Sequence, residues 1–397
     1  MDSDARVETV AFVVDKPKSE FALVPVVFDP IRDDEYLVEM KFSGVCHTDI
    51  LLQQGLFGDA CQYPAIFGHE GAGIVRQVGK QVRQPALEVG DPVLLSFFTC
   101  NHCPSCLHGQ PARCWNFIEC NFSAKRYSDK SSHARLKDGR PVGAGFFGHS
   151  SFAKLSVVKD QCVVKYPYQD VENMGIYAGG GCGFQTGAGA ILNLLKPKPE
   201  QALVIFGLGG VGLTAVMAAK LRGLQTVIAV DIVDFKLELA RELGATHIIN
   251  STDTDPLAEI KRITTHGATY AIDCSGVPSV IELLIDCIHP FGVAGSIGDA
   301  PAGERISIDA LKFMVEGKTF VGLVEGDSVP QKFLPELVDL HRAGKFPLDR
   351  LVSIYSSNNF EQALRDMEDG KVTSPKHPSH AEPEDELTRA HGCPHHV

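Results

Sequence analysis

The chain has 397 residues, 44% apolar and 22% charged, the make-up of a soluble globule of two or three domains, which excludes general disorder. Lys plus Arg number 37 against 49 Asp plus Glu, and this net charge of −12, without a basic stripe, argues against a nucleic-acid or anionic-membrane surface. Met1–Lys16 carries Asp2, Asp4, Arg6 and Glu8 and no apolar core, so no secretory signal is read there and a cytoplasmic location is expected.

In chain order, short apolar runs separated by Gly, Pro and Asp (Phe21–Phe28, Tyr36–Phe42, Pro92–Phe98 and Ala153–Val158) predict a β-rich barrel or sandwich. Between them stand Cys46, in Gly44-Val45-Cys46-His47-Thr48-Asp49, and His69, in Gly68-His69-Glu70. Each alone reads no further than a structural residue near glycine. The next cluster is stronger: Cys100, Cys103, Cys106 and Cys114, spaced x2, x2 and x7. In a large chain without a signal, clustered cysteines among a total of twelve point to metal or catalysis rather than disulfides. Four thiolates close a tetrahedral Zn²⁺ with no open position, which makes the expected role structural. An iron–sulfur cluster uses four cysteines too, and the nucleotide motif further along the chain favours zinc. Cys162, Cys274 and Cys287 read as ordinary buried thiols.

Two uncharged stretches, Asn173–Leu195 and Gln201–Ala219, are long enough to cross a bilayer, but Gly179, Gly180, Gly181, Gly183, Gly207, Gly209, Gly210 and Gly212 interrupt them. No membrane span is read. From Ala202 the pattern alternates: strands at Ala202–Phe206, Thr226–Val230, His247–Ile249, Tyr270–Asp273 and Gly292–Ile297, with helices at Gly212–Arg222, Phe235–Leu243, Asp255–Ile263 and Val277–Cys287. That rhythm predicts an α/β fold with a doubly wound parallel sheet. A helix at Gln331–Ala343 and a strand at Leu351–Tyr355 leave the pattern and return to the first domain. The expected boundaries are 1–180 for a catalytic domain with a metal lobe at 97–117, 181–328 for the nucleotide domain, and 329–373 for the return. Ser374–Val397, rich in Pro, His and acids, is read as a disordered tail.

Gly207-Leu208-Gly209-Gly210-Val211-Gly212 follows the first of these strands and opens a helix, the context a dinucleotide fingerprint requires. Gly207 permits the turn, Gly209 the approach of a pyrophosphate, and Gly212 the packing of helix on strand. The helix N-terminus offers free N–H groups to the diphosphate. Asp231 ends the next strand, where an acid holds ribose hydroxyls and repels a 2′-phosphate; Ile232 and Val233 supply no arginine, so NAD is preferred to NADP.

Taken together, Gly44–Asp49, Gly68–Gly73, the cysteine quartet, Gly181–Gly187 and the Gly207–Gly212/Asp231 pair occur in the order seen in zinc-dependent medium-chain alcohol dehydrogenases. The resemblance runs to about Lys371. Phe146-Phe147-Gly148-His149-Ser150-Ser151-Phe152 and Glu325-Gly326-Asp327-Ser328 resemble the aryl (benzyl) alcohol dehydrogenase branch. The resemblance implies a Rossmann domain joined to a GroES-like catalytic domain, and two zincs per chain. Cys46, His69 and Cys182 would bind the catalytic ion, leaving a fourth position for substrate. It also implies that Thr48 relays the alcohol proton and that His47 meets the pyrophosphate. Asp49 and Glu70 would orient ligands, Thr186 and Val211 would pack the nicotinamide, and Lys236 would meet the adenosine ribose. Leu51 stands where many animal-type members carry the relay histidine, so His47 or water is expected to take that part. Thr373-Ser374-Pro375 stands where a basic residue and a closing strand are usual, so either weaker NAD binding or a replacement of the last strand is expected.

The resulting expectation is a homodimeric NAD-dependent alcohol dehydrogenase or aldehyde reductase for a bulky, aryl or allylic primary alcohol. Phe57, Phe97, Phe98, Phe146 and Phe147 would line a channel, or pack in the core. The rival enzyme is a glutathione-dependent formaldehyde dehydrogenase, with Arg113, Lys125 and Arg126 as its basic cluster. The rival from another class is a zinc-stabilised NAD sensor without turnover.

Overall fold

The computed structural model describes residues 5–82 and 87–378. The β-rich unit holds two sheets. One runs Ala65–Ile66, Val7–Val14, Ala22–Phe28, Ala134–Leu136, Pro141–Val142, antiparallel throughout. The other is seven-stranded, with Glu35–Gly44 pairing Glu70–Val78 on one side and Ser374–Pro378 on the other. Phe28, Leu37, Phe67, Phe97, Phe146 and Phe152 fill its main core. Strand ends fall within a few residues of those expected; Pro92–Leu95 stops before Phe97 and Phe98, which turn inward instead.

The nucleotide unit is a six-stranded parallel sheet ordered His247–Asn250, Thr226–Asp231, Ala202–Phe206, Ala268–Asp273, Ile288–Ser296, Thr319–Gly322. Its central strands, ALVIF and TVIAVD, are apolar runs because helices cover both faces. The strand order reverses beside Ala202–Phe206, so the crevice beyond its carboxyl end is where such a sheet binds ligand. Helix Pro256–Thr264 starts as its sequence dictates: Pro256 follows Asp255, whose carboxylate accepts from Leu257 N.

Between the units runs the glycine-rich segment that is uncharged in the sequence. It breaks into Met174–Tyr177, Ala178–Gly181 and Gly183–Gly189, then a π-helical turn, Ala190–Leu195. Among the described residues no helix is long and apolar enough to cross a membrane.

One expectation is corrected. Ser374–Pro378 is not tail but a strand inside the second sheet, antiparallel to Phe42–Gly44 and parallel to Val352–Ile354. Its polar composition conceals it from a hydropathy reading, because its interior residues are Lys376 and His377, both buried. Pro375 lacks an N–H, yet its carbonyl accepts from Val45 N, and Lys376 O accepts from Tyr355 N. Ser379–Val397, the rest of the expected tail, lies outside the described residues.

Candidate active site

Cys46 precedes helix His47–Gln53, whose first turn folds back on it: Asp49 Oδ2 accepts from Cys46 N at 3.0 Å. The other oxygen, Asp49 Oδ1, accepts from Gly68 N at 3.0 Å and meets His69 Nδ1 at 3.1 Å. One buried carboxylate therefore places two ligand-bearing segments. His69 Nε2 is left buried without a hydrogen-bond partner. Cys182, 113 residues further along the chain from His69, comes in from the turn before Gly183–Gly189, and the ligand atoms of Cys46, His69 and Cys182 lie within 4.8 Å of one another. An orphaned imidazole nitrogen facing two thiols is a donor set for zinc with one position open. Hydrogen bonding with Cys182 draws the Cys46 thiol well below its usual range, and the same contact together with burial pushes Cys182 up. Burial opposes a charge on His69, but Asp49 and Cys46 outweigh it and raise its pKa.

Glu70 Oε1 accepts from Gly183 N at 3.2 Å, and its Oε2 accepts from Lys376 Nζ at 2.6 Å. Lys376 is fully buried. The strand that hydropathy concealed thus carries a basic residue, Lys376, but it is bonded to Glu70 beneath the centre, and the cleft wall beside it is formed by Thr373 and Ser374. Burial lifts Glu70 above the usual carboxylate range, with Lys376 opposing.

A cleft of about 510 Å³ joins this centre to the parallel sheet. Cys46, His47 and Glu70 line one part of it; Gly207, Gly209, Gly210, Val211, Asp231 and Lys236 line another. Gly207 has φ +83°, and a Cβ there would stand 2.9 Å from Ser275 N. A Cβ on Gly212 would overlap Gly207 O, whereas one on Gly209 meets nothing within 4 Å and would project into the space a phosphate needs. Asp231 is held in place by three N–H groups, those of Leu208 (2.6 Å), Ile232 (2.8 Å) and Val233 (3.0 Å). These residues fit a dinucleotide. Thr186 lies buried one turn beyond Cys182 and accepts no place in the cleft wall, which Gly183 and Phe184 form.

Away from this cleft, the sulfurs of Cys100, Cys103, Cys106 and Cys114 converge within 4.8 Å of one another. Asn101, at φ +58°, turns the chain, and backbone N–H groups approach sulfur from Cys103 to Cys100 (3.4 Å) and from Trp115 to Cys103 (3.4 Å). Four protein donors fit a closed zinc site.

Comparison with known proteins accords with this geometry. Residues 32–168 match the alcohol dehydrogenase GroES-like domain and residues 210–341 the zinc-binding dehydrogenase domain. Geraniol dehydrogenase of Castellaniella defragrans is 36% identical over 375 residues, 94% of this chain and 98% of that protein. The chain belongs to the zinc-dependent alcohol dehydrogenases. Two solved structures lie near this dehydrogenase. One is an alcohol dehydrogenase zinc-binding domain protein from Burkholderia ambifaria (38% identity, TM-score 0.89), the other benzyl alcohol dehydrogenase from Acinetobacter calcoaceticus (37%, TM-score 0.87). Each alignment covers 94% of this chain and 99% of the other.

In this dehydrogenase the hydroxyl of Thr48 is buried beside the metal centre, 3.6 Å from Cys46 Sγ, and donates to Asp299 Oδ2 at 2.6 Å. The partner of the Thr48 hydroxyl is therefore Asp299, while His47 lines the nucleotide cleft. Sequence reasoning missed it because a lone acid after a strand carries no motif. A second acid, quoted in the aryl-type motif but given no role there, is Glu325, buried, at φ +49°, accepting from Gln185 Nε2 at 2.9 Å. Burial raises its pKa to about 8.

Phe97, Phe98, Phe146 and Phe147 are buried, and Phe57 stacks on Phe122 at 4.9 Å. They pack chiefly as core. Phe147 stacks on the His69 ring at 4.5 Å, which makes it a wall of the metal site. Of the basic residues, Arg126 is buried in a two-bond pair with Glu35 (2.7 and 2.8 Å), holding that carboxyl at about 2 against the effect of burial. Arg113 pairs with Asp327. Neither is a free cation at the site.

Asp49→Asn keeps the shape and loses the charge behind His69. It is expected to weaken zinc at the Cys46–His69–Cys182 site about 10–100-fold, measured by chelator competition.

Proposed function

We propose that this dehydrogenase interconverts a bulky aromatic or allylic primary alcohol and its aldehyde, with NAD(H) as cofactor and two zincs per chain. The observation that carries this reading is that Cys46 of the three-ligand centre and the Gly209–Asp231 fingerprint line one cleft. The relatives named for geraniol and benzyl alcohol support the substrate class.

Bound by Cys46, His69 and Cys182, a zinc ion would supply Lewis acidity that makes an alcohol hydroxyl ionisable near neutral pH. Bound along Gly207–Gly212, NAD would supply the hydride acceptor. The chain's own part is placement. Asp49 and Glu70 hold the ligand-bearing segments, Thr48 offers a hydroxyl that can receive a proton, and Phe147 excludes water from one side of His69. Asp231, fixed by its three N–H bonds, presents an acceptor to ribose hydroxyls and a repulsive charge to a 2′-phosphate. The formaldehyde-adduct reading needs a cluster of free basic residues; of its three candidates Arg113 and Arg126 are committed to Asp327 and Glu35, which leaves half-buried Lys125 alone.

A homodimer is part of the proposal. Thr319–Gly322 is an open sheet edge, and Phe291, Leu311, Met314 and Val315 expose their apolar side chains, the features of an interaction surface.

The test is a dehydrogenase assay with NAD and with NADP over benzyl, allylic, short aliphatic and hydroxymethylglutathione substrates in metal-replete protein. Turnover of aromatic or allylic alcohols, better with NAD, is expected. Exclusive use of hydroxymethylglutathione would replace the substrate, and no turnover anywhere would leave a metal-stabilised nucleotide binder.

A further inference from the structure

We propose that Asp299 is the proton acceptor behind Thr48, a positioning residue that carries the alcohol proton from the buried metal centre to a second, solvent-open cavity; the proposal rests on the dehydrogenase reading above. Thr48 belongs to the catalytic domain and Asp299 to the loop after strand Ile288–Ser296, so the 2.6 Å bond spans the two domains. The two ends of the bond differ in environment. Thr48 is buried with Cys46 Sγ 3.6 Å from its oxygen, whereas Asp299 exposes one flank to a second cavity of about 420 Å³, while the atoms packed around its carboxyl raise its pKa. A hydroxyl that already donates to a carboxylate has a lone pair free to receive. The substrate O–H proton passes to Thr48 Oγ1 as the Thr48 proton passes to Asp299 Oδ2. The carboxylate becomes a carboxylic acid and gives that proton to water in the second cavity; NAD, when bound, would supply the acceptor for the hydride and its electron pair. One proton is released per alcohol oxidised.

The loop is built to hold this geometry. Ile297 N (2.9 Å) and Gly298 N (3.1 Å) both donate to Asp273 O, whose side chain also accepts from Ser275 N (2.9 Å) and Gly276 N (3.0 Å). A Cβ on Gly276 would overlap Asp299 O, so the two turns interlock at the backbone. Cys46, His47, His69 and Glu325 are the titratable groups whose charges reach Asp299, and Arg113 and Asp327 share its cavity.

The experiment compares wild type, Asp299→Asn and Asp299→Ala, each with zinc content and melting temperature checked. Asn can accept the Thr48 hydrogen bond but cannot take the proton. Asp299→Asn is expected to lower kcat for alcohol oxidation about 10²-fold, with KM little changed and a larger solvent deuterium isotope effect. Because the position opens onto the second cavity, formate added to Asp299→Ala should restore part of the lost rate, a rescue that lost packing cannot produce. Wild-type kcat and isotope effect in both variants would overturn the proposal and leave the dehydrogenase reading standing. A wild-type protein that oxidises no alcohol would overturn both.

Discussion

Lys376→Met is expected to destabilise the protein by about 3–5 kcal/mol, the cost of leaving one member of a buried ion pair alone. Lys376 is fully inside and Glu70 nearly so, and their 2.6 Å bond has no solvent to replace it. The penalty should depend on pH. Glu70 already sits above the ordinary carboxylate range because burial disfavours its charge. A raised folded-state pKa means that the folded protein holds the proton longer than the unfolded chain does. Stability from that group is full at low pH and is lost as pH rises through the folded value. Removing Lys376 raises that value further, so the loss should be smaller near about pH 5 and larger near about pH 8. Chemical denaturation at both pH values measures it. Adding Glu70→Gln to Lys376→Met should return much of the stability at the higher pH; equal losses at both pH values would show that packing, not charge, is what Lys376 contributes.

Cys182→Ser is expected to abolish activity, by about 10³-fold or more in kcat/KM, because it removes one of three donors that would hold the Lewis acid. Two clusters of metal-ligating side chains are present among the described residues, so metal content should fall by about half while melting temperature changes little. Cys103→Ser should do the reverse. A site closed by four protein donors binds metal as part of folding, so its loss lowers melting temperature and spares the activity of the molecules still folded. Metal analysis, thermal melts and steady-state rates on the two variants separate the sites. A Cys182→Ser protein of undiminished activity would remove the catalytic assignment of that centre.

Much of this was legible in the chain because it depends on local pattern. Alternating strands and helices gave the parallel sheet, and the three glycines Gly207, Gly209 and Gly212 announced the nucleotide crevice through roles that only their lack of Cβ permits. The cysteine quartet is equally local. Cys46, His69 and Cys182 were united by resemblance, not by spacing, since their convergence depends on the domain packing. What stayed hidden was polar and distant. Lys376 and Glu70 are 306 residues apart, Thr48 and Asp299 are 251 apart, and no hydropathy or spacing rule pairs them. The closing strand was missed for the same reason: its interior side chains are charged or polar, and only the burial of their partner explains them.

The short helix Gly183–Gly189 begins immediately after a metal ligand and then presses its backbone against both halves of the nucleotide unit. A Cβ on Gly187 would overlap Val211 O, and one on Gly189 would overlap Gly326 O. The spacing between the Cys46–His69–Cys182 centre and the nucleotide cleft is therefore set chiefly by main chain touching main chain, with the Thr214 hydroxyl the one side chain close against the seam at Gly187. A chimera that borrows its coenzyme-binding half from another member would have to import that bare seam intact; a single methyl there would push the two reactants apart before any residue at the chemistry had been altered.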